Sequence, residues 1–157
     1  MQLEYFQMID RIVDLNVDEK TIVVEATVPQ QSTIFEGHFP GYPLMPGVLL
    51  IEAMAQTSGW LAMALMKFER MAFLAAVKEA KMRSFVTPGT SLKVEASIVH
   101  EGSGFTITDA KIRVDGKLTC NATLTLGHMP FPNADLRGHM ETMAKRIGFP
   151  QQAIAHD

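Results

Sequence analysis

The chain has 157 residues but only one cysteine, no excess of positive charge and no secretory leader pattern. A lone Cys120 cannot form a disulfide within the chain, which excludes a disulfide framework. Fourteen Lys and Arg against 17 Asp and Glu give a net charge of −3, so the field needed to neutralise many phosphates is missing and nucleic acid is not an expected partner. The opening MQLEYFQMID lacks a basic segment followed by an apolar one, and a cytoplasmic location is therefore predicted.

The composition is that of a compact folded protein with one core. Hydrophobic residues make up 47% of the chain and charged residues 20%. A chain of this length buries roughly 70% of the surface that its unfolded form exposes. Strand-like patterning ends near Gly127, so we predict a core domain over residues 1–128 and a C-terminal extension over residues 129–157. The extension is expected to be partly helical, over residues 137–148, or mobile.

One apolar segment, residues 47–66, is long enough to cross a bilayer and carries a single charge. Its polar residues argue against a membrane span, because an ionised Glu52 near the middle would cost several kcal/mol. The rest of the chain is rich in strand patterns that could cover such a helix. We therefore predict a buried core helix from about Pro46 to Lys67 and no membrane partner.

Strand patterns flank this helix on both sides. Alternating or β-branched runs occupy residues 21–28, 72–77, 80–86, 90–99, 104–114 and 117–126. The dipeptide Asp115-Gly116 is typical of a two-residue hairpin turn. Prolines at 40, 43 and 46 predict that residues 30–46 are irregular. The predicted fold class is α+β, with an antiparallel sheet wrapped around one long central helix.

Two titratable residues stand on rigid supports at the start of this helix. His38 lies in the proline-stiffened loop and Glu52 lies on the second turn of the helix. Apolar neighbours should favour the neutral acid of Glu52, the form that can donate a proton, so the two residues make an acid and base pair. Unpaired amides near Gly47 at the positive end of the helix dipole suit a carbonyl oxygen that becomes negative. These parts match β-elimination of water next to a carbonyl group.

No cofactor or metal is needed for that reaction, and the sequence has no motif for one. It contains no His-Glu-x-x-His motif, no paired cysteines, no phosphate-binding loop and no dinucleotide fingerprint. Taken alone, His38 could equally be a structural loop residue, and Glu52 could face a gap or a subunit boundary. The proline spacing could also suggest a polyproline ligand, although such ligands usually lie in exposed disordered segments.

The run GHFPGYPLMPGVLLIEAMAQTSG, residues 37–59, closely resembles the signature of the FabZ-type (3R)-hydroxyacyl-acyl-carrier-protein dehydratases. AKMRSFVTPGTSLKVEASI, residues 80–98, resembles the strands that follow it in that family. The resemblance implies the hot-dog fold, with His38 and Glu52 as the catalytic pair and the Gly47 amide as a ligand of the thioester carbonyl. It also implies an acyl carrier protein as partner, active sites formed across a homodimer, and a dimer or a trimer of dimers.

The resemblance also carries finer implications. A related dehydratase and isomerase subfamily has Asp where this chain has Glu52, so Glu favours dehydration without migration of the double bond. The two ends of the chain look more like the specialised dehydratases that build very-long-chain acyl groups for lipid A. Hot-dog acyl thioesterases share the fold, and a non-catalytic acyl-carrier binding module is the third reading.

Two further sets of residues are candidates for the site. Gln56 lies one turn after Glu52 on the same helix face, where it could hold the carboxyl group or serve as a core amide. Lys78, Lys81 and Arg83 form a compact basic cluster that could dock an acidic carrier protein, although such a cluster is more often a solvated strand face. The 11 methionines could line an acyl tunnel or simply fill the core.

Overall fold

A computed structural model describes residues 1–154, and residues 155–157 of the predicted extension lie outside this range. The strands are β1 Arg11–Asn16, β2 Thr21–Thr27, β3 Met71–Met82, β4 Ser91–Gly102, β5 Phe105–Val114 and β6 Lys117–Met129. The α-helices are α1 Thr33–Gly37, α2 Gly47–Leu65 and α3 Ala134–Ile147. Single 3₁₀ turns cover Leu3–Tyr5 and Gln151–Ala153.

The six strands form one antiparallel sheet in the order β1-β2-β4-β5-β6-β3, and this sheet wraps around α2. Within the described range, α2 is the one helix long and apolar enough to cross a membrane, and 61% of that apolar stretch is buried inside the protein. Its buried hydroxyls find partners there: Thr57 donates to the Ala53 carbonyl at 2.8 Å, and Ser58 pairs with Thr108 at 2.7 Å. The predicted α+β arrangement with a buried central helix is confirmed.

The turn chemistry of the second half follows the sequence. Asp115 and Gly116 both have positive φ, 49° and 78°, as a two-residue turn between right-twisted strands requires. Along β6, every second residue from Cys120 to Leu126 is buried, and the first three of them belong to the hydrophobic core that contains α2. The hairpin and the face of this strand were both predicted correctly.

Strand β3 differs from its prediction in three ways. The separate strands expected over residues 72–77 and 80–86 are one strand that ends at Met82, so the prediction of a strand over residues 83–86 is wrong. Register shifts interrupt its pairing with β6 between Leu74 and Ala76 and between Lys78 and Lys81. A bulge breaks the two-residue period, so the sequence pattern resembles a strand end. The expected half-burial is also wrong for β3, because it is an edge strand and most of its residues are exposed in the single chain.

The loop before α2 contains a short helix that was not predicted, because the prolines indicated an irregular segment. We expected residues 30–46 to be irregular, but Thr33–Gly37 form α1. Ser32 caps this helix by accepting a hydrogen bond from the Ile34 amide at 3.1 Å. The helix is possible because the prolines of this loop all lie after its last residue.

The C-terminal helix α3 begins three residues earlier than the predicted Arg137. Its N-cap is Asn133, whose side chain accepts from the Leu136 amide at 2.8 Å, and it ends at Gly148 in the left-handed conformation that favours glycine. Phe149, just after the helix, packs against Trp60 of α2 at 5.5 Å between ring centroids. The extension therefore shares the core of the main domain.

Candidate active site

The start of α2 presents backbone donors. Pro46 is the N-cap, and no side chain caps the helix. The amides of Leu49 and Leu50 both donate to the Pro46 carbonyl, whereas the Gly47 and Val48 amides have no acceptor among residues 1–154. These two N–H groups and the helix dipole make an electropositive end that suits a developing oxyanion.

Gly47 is half-buried beneath the side chain of Met82 on β3. A methyl group added at Gly47 would meet the Met82 Cγ at 3.4 Å, which is ordinary van der Waals contact. The Cys120 thiol of β6 donates to the sulfur of this methionine at 3.1 Å. Burial raises the pKa of the Cys120 thiol to about 11, against a smaller lowering by Arg83, so the thiol stays protonated and is a poor nucleophile.

His38 is the C-cap residue of α1 and follows its last residue, Gly37. It is half-buried, and its ring stacks on that of Phe39 with centroids 4.1 Å apart. Its carbonyl accepts from the Leu44 amide at 2.9 Å, while Phe39 and Tyr42 exchange two backbone hydrogen bonds. The peptide bond between His38 and Phe39 is cis. These backbone hydrogen bonds hold residues 38–44 in one compact loop conformation next to the imidazole.

Glu4 accepts hydrogen bonds from the N-terminal end of α1. Its Oε1 accepts hydrogen bonds from the Ser32 hydroxyl at 2.7 Å, the Thr33 amide at 2.9 Å and the Thr33 hydroxyl at 3.1 Å. The bond from Ser32 and the backbone amides of Glu4 and Thr33 lower the pKa of the Glu4 carboxyl to about 2. The N-terminal segment thus holds the short helix that precedes His38.

The same segment holds Glu52 through Gln56. Gln56 Nε2 donates to Glu52 Oε1 at 3.0 Å and to the Phe6 carbonyl at 2.6 Å, and its Oε1 accepts from the Met8 amide at 3.2 Å. Both ends of the amide are therefore satisfied, and its orientation is determined. The predicted proximity of Gln56 and Glu52 on one helix face takes the form of a direct hydrogen bond.

Glu52 and Gln56 line one end of an apolar groove of about 350 Å³. Its walls come from α2, α3, β3 and the N-terminal segment. Glu52 is half-buried, but Val48, one turn earlier, is 72% exposed, so the apolar enclosure expected around Glu52 is incomplete in one chain. His38 is not among the residues that line the groove. A single chain thus brings Glu52 and Gln56 together and leaves His38 outside their groove.

The basic cluster lies on the outer face of the sheet edge. Lys78 and Lys81 are exposed on β3, opposite Thr123 and Asn121 of β6. Arg83 is also exposed, but its guanidinium donates twice to the Asn121 side chain, at 2.9 and 3.1 Å. The two lysines form no ion pair with a described residue, and they are the more available members of the cluster.

Metal-binding groups are absent from the described part of the chain: residues 1–154 contain no cluster of three or more His, Cys, Asp or Glu side chains. His128 pairs with the Thr106 hydroxyl at 2.7 Å, and burial, with a smaller contribution from Arg70, lowers its pKa. It is therefore a structural imidazole on β6.

Sequence reasoning missed part of this site. The backbone groups of Phe6 and Met8 that hold Gln56 come from a segment without any motif. Gly59 and Trp60 line the groove two turns beyond Glu52, and the helical spacing from Glu52 could have indicated them. Of the helix methionines, Met63 lines the groove, whereas Met54 is packed in the core. The α3 side of the groove had no signal in the sequence.

Comparison with protein families gives a match to the FabA-like domain over residues 1–123. The 3-hydroxyacyl-[acyl-carrier-protein] dehydratase FabZ of Lactococcus lactis is 36% identical over 121 residues, which are 76% of this chain and 83% of that protein. The FabZ dehydratase of Streptococcus pneumoniae is 40% identical over 119 residues, 75% of this chain and 84% of that protein.

Solved structures share the fold at lower identity. A conserved protein of Pseudomonas aeruginosa superposes with a TM-score of 0.60 at 20% identity, over 76% of this chain and 87% of its own. A hypothetical thioesterase of Streptococcus pneumoniae, solved with coenzyme A, gives 0.61 at 17% identity, over 78% and 88%. These likenesses concern the fold alone, and with the antiparallel sheet around α2 they confirm the predicted hot-dog architecture.

Proposed function

Because this chain belongs to the FabA-like family, we propose that it is a dehydratase that removes water from (3R)-3-hydroxyacyl groups on acyl carrier protein in fatty acid synthesis. The observation that carries the proposal is the 36–40% identity to FabZ dehydratases over three quarters of the chain. The groove that starts at the Glu52 carboxyl is consistent with an acyl substrate. The product is the trans-2-enoyl thioester.

The proposed chemistry uses three groups. The imidazole of His38 takes the proton from C2, and the electron pair forms the double bond between C2 and C3 as the C3–O bond breaks. Glu52 delivers a proton to the departing hydroxyl, directly or through water, so that water leaves. The Gly47 amide and the dipole of α2 stabilise the negative charge that collects on the thioester oxygen. The elimination balances without an oxidant, a reductant or a cofactor.

We propose that each site takes His38 from one subunit and Glu52 from the other subunit of a homodimer. The edge strand β3 supports this arrangement, since it is 12 residues long and exposes Phe73, Leu74 and Val77. An unpaired apolar edge of this length is a template for another strand. Antiparallel pairing of two β3 strands is self-complementary and places two equivalent sites in the dimer. A trimer of such dimers remains a sequence-based prediction.

We further propose that the carrier protein docks near Lys78, Lys81 and Arg83. Carrier proteins are acidic, and the exposed lysines offer complementary charge on the outer face of the sheet. A role in very-long-chain acyl synthesis for lipid A is the finer proposal. Its support is the resemblance of the two chain ends to those specialised dehydratases, and activity confined to short acyl chains would refute it.

The test is mass spectrometry of carrier-bound 3-hydroxyacyl substrates of graded length after incubation with the protein. We expect loss of one water from the acyl group, and a decrease of roughly a hundred- to ten-thousandfold in His38→Ala and Glu52→Gln. His100→Ala, on an exposed part of β4, is the matched control and should retain the wild-type rate. Near-normal dehydration by His38→Ala would refute the proposed mechanism.

The same reactions distinguish the two alternative functions. A thioesterase releases free thiol, because water attacks the carbonyl carbon, whereas a dehydratase leaves the thioester intact. A non-catalytic module binds the carrier protein equally well after loss of His38 and Glu52 and forms no enoyl product. Either pattern would replace the proposed function.

A further inference from the structure

The groove that begins at Glu52 follows one face of α2. Its α2 wall consists of Glu52, Ala55, Gln56, Gly59, Trp60 and Met63. These residues recur every three or four positions, so they form one stripe along the helix. From residue 52 to residue 63 the helix rises ~16 Å. An extended chain advances roughly 1.2 Å per bond, so this length accommodates about a dozen carbons.

Gly59 leaves the middle of this stripe open. Glycine in a helix interior is destabilising relative to alanine, so its presence in the fourth turn of α2 calls for a reason. A Cβ added at Gly59 would have no neighbouring atom within 4 Å, and the residue itself lines the groove. A larger side chain at Gly59 would project into the free space of the groove. Because glycine has no side chain, the groove stays continuous between Glu52 and Met63.

Helix α3 forms the opposite wall. Met140, Met143 and Ile147 face the α2 stripe across the groove. All three lie beyond residue 123, where the match to the FabA-like domain ends. This wall is therefore a feature of the C-terminal extension of this chain, and methionine side chains adapt readily to a flexible apolar ligand.

Several contacts hold α3 in this position. Arg146 donates to the Gln7 side chain at 2.9 Å, which ties the helix to the segment that also binds Gln56. Phe149 packs against Trp60 and Phe68, with ring centroids 5.5 and 5.6 Å away. Because α3 is anchored at both the N-terminal segment and the core of α2, it is a fixed wall and not a loose tail.

We propose that Gly59 and the α3 methionines, which line the groove beyond Glu52, determine how the length of the acyl chain affects the rate. The proposal rests on the proposed function, since it places the reacting carbons at Glu52 and the methylene groups along the stripe toward Met63. Groove contacts then increase with each added methylene until the chain spans the stripe. Carbons beyond Met63 leave the groove and add nothing further.

The first experiment measures kcat/KM for 3-hydroxybutyryl, 3-hydroxyoctanoyl, 3-hydroxydodecanoyl and 3-hydroxyhexadecanoyl carrier protein. Each methylene that loses its groove contact lowers kcat/KM by about fourfold. We expect Gly59→Leu to lower the rate for the dodecanoyl substrate by roughly a hundredfold and to leave the butyryl rate within about twofold of wild type.

The matched control for the leucine is Gly138→Leu, a glycine of α3 that is exposed and likewise has no atom within 4 Å of an added Cβ. It should leave every length unchanged. For the α3 wall, Met140→Ala with Met143→Ala should reduce the preference for dodecanoyl over butyryl by roughly tenfold, because buried methylene contacts are lost. Thr142→Ala, exposed on the same helix, should leave that preference intact. An equal decrease at all lengths in Gly59→Leu would overturn the proposal.

The second experiment does not depend on turnover. Trp60 is the only tryptophan of the chain and lines the groove, so its fluorescence reports on the ligand. Acyl pantetheine thioesters that carry bromine on the last carbon should quench Trp60 most strongly at intermediate lengths, and Gly59→Leu should abolish this maximum. Quenching without water loss would support the groove and refute the dehydratase. Water loss with no length-dependent quenching would overturn the groove and leave the dehydratase standing.

Discussion

The side-chain amide of Gln56 donates a hydrogen bond to the Glu52 carboxyl at 3.0 Å, one turn earlier on α2. The same amide nitrogen donates to the Phe6 carbonyl, and the amide oxygen accepts from the Met8 amide. Phe6 and Met8 hold the Gln56 amide, and Gln56 in turn holds the Glu52 carboxyl group. The orientation of the proposed acid is therefore determined by a segment that lies 44 to 46 residues earlier in the sequence. Gln56 is a positioning residue in the proposed mechanism.

Gln56→Leu should lower kcat by roughly two- to tenfold, because the proposed acid is neutral and a hydrogen bond between neutral groups contributes about 0.5–1.5 kcal/mol. The unpaired Phe6 and Met8 backbone groups should also decrease the free energy of unfolding by about 1–3 kcal/mol. The measurement is kcat in wild type and in a Glu52→Gln background. If Gln56 acts through Glu52, its loss has little further effect in that background. Fully additive losses of kcat would contradict the positioning role.

Subunit mixing tests whether two chains share a site. His38→Ala and Glu52→Gln are each expected to be inactive. When equal amounts of the two variants form dimers, every dimer that contains one subunit of each has one intact site. Half of the dimers are mixed and each has one of its two sites intact, so about a quarter of the wild-type activity should return. The activity is followed by enoyl absorbance after dissociation and reassembly of the subunits. No recovery, with mixed dimers demonstrated by mass, would place both residues in one chain.

Val77→Glu should prevent pairing through β3. Val77 is 39% exposed on the edge strand, and self-complementary pairing would bring two such carboxylates close together in an apolar interface. We expect a dimer by analytical ultracentrifugation for the wild type, a monomer for Val77→Glu, and a parallel loss of dehydration. Val99→Glu, on the exposed part of β4, is the matched control and should stay dimeric. A dimeric Val77→Glu protein would exclude this interface.

The hydrogen bonds that the Glu4 carboxylate accepts from Ser32 and Thr33 should weaken in acid. Hydrogen bonds from Ser32 and Thr33 lower the pKa of Glu4 from 4.5 to about 2, so the stability it contributes is present above about 4.5 and is lost as the pH falls toward 2. The protection factor of the Thr33 amide, which is the exchange rate corrected for its intrinsic pH dependence, should decrease over this interval in the wild type. Glu4→Gln should have a lower protection factor at neutral pH and show a smaller decrease in acid. Glu36→Gln, a substitution within α1, is the control and should behave as the wild type. Identical curves for all three proteins would mean that Glu4 does not hold the start of α1.

Lys78→Glu with Lys81→Glu should raise KM for carrier-bound substrate on the order of tenfold at low salt, since charge reversal removes electrostatic steering. KM for the corresponding pantetheine thioester should not change, because that substrate lacks the acidic carrier. Lys117→Glu, at the exposed first residue of β6, should behave as wild type in both assays. Equal effects on both substrates would mean that these lysines do not dock the carrier.

Local patterns in the sequence account for most of the fold. The apolar run of α2, the alternation of β6 and the Asp115-Gly116 turn each follow from a short-range rule, and each was predicted. The errors fall where a tertiary contact overrides such a rule. Bulges in the pairing with β6 make β3 one strand where two were predicted, and Glu4 of the N-terminal segment accepts the hydrogen bonds from Ser32 and Thr33 that hold the start of α1.

The site divides in the same way. The sequence by itself determined the residue types of the proposed chemistry, because His38, Gly47, Glu52 and Gln56 lie within 19 residues of one another on a loop and a helix whose forms follow local rules. Only the tertiary structure decided what surrounds them: that the N-terminal segment binds Gln56, that His38 lies outside the Glu52 groove, and that α3 closes the wall opposite Gly59. Those contacts join residues far apart in the chain, and their free energies depend on packing distances that no local pattern of residue types encodes.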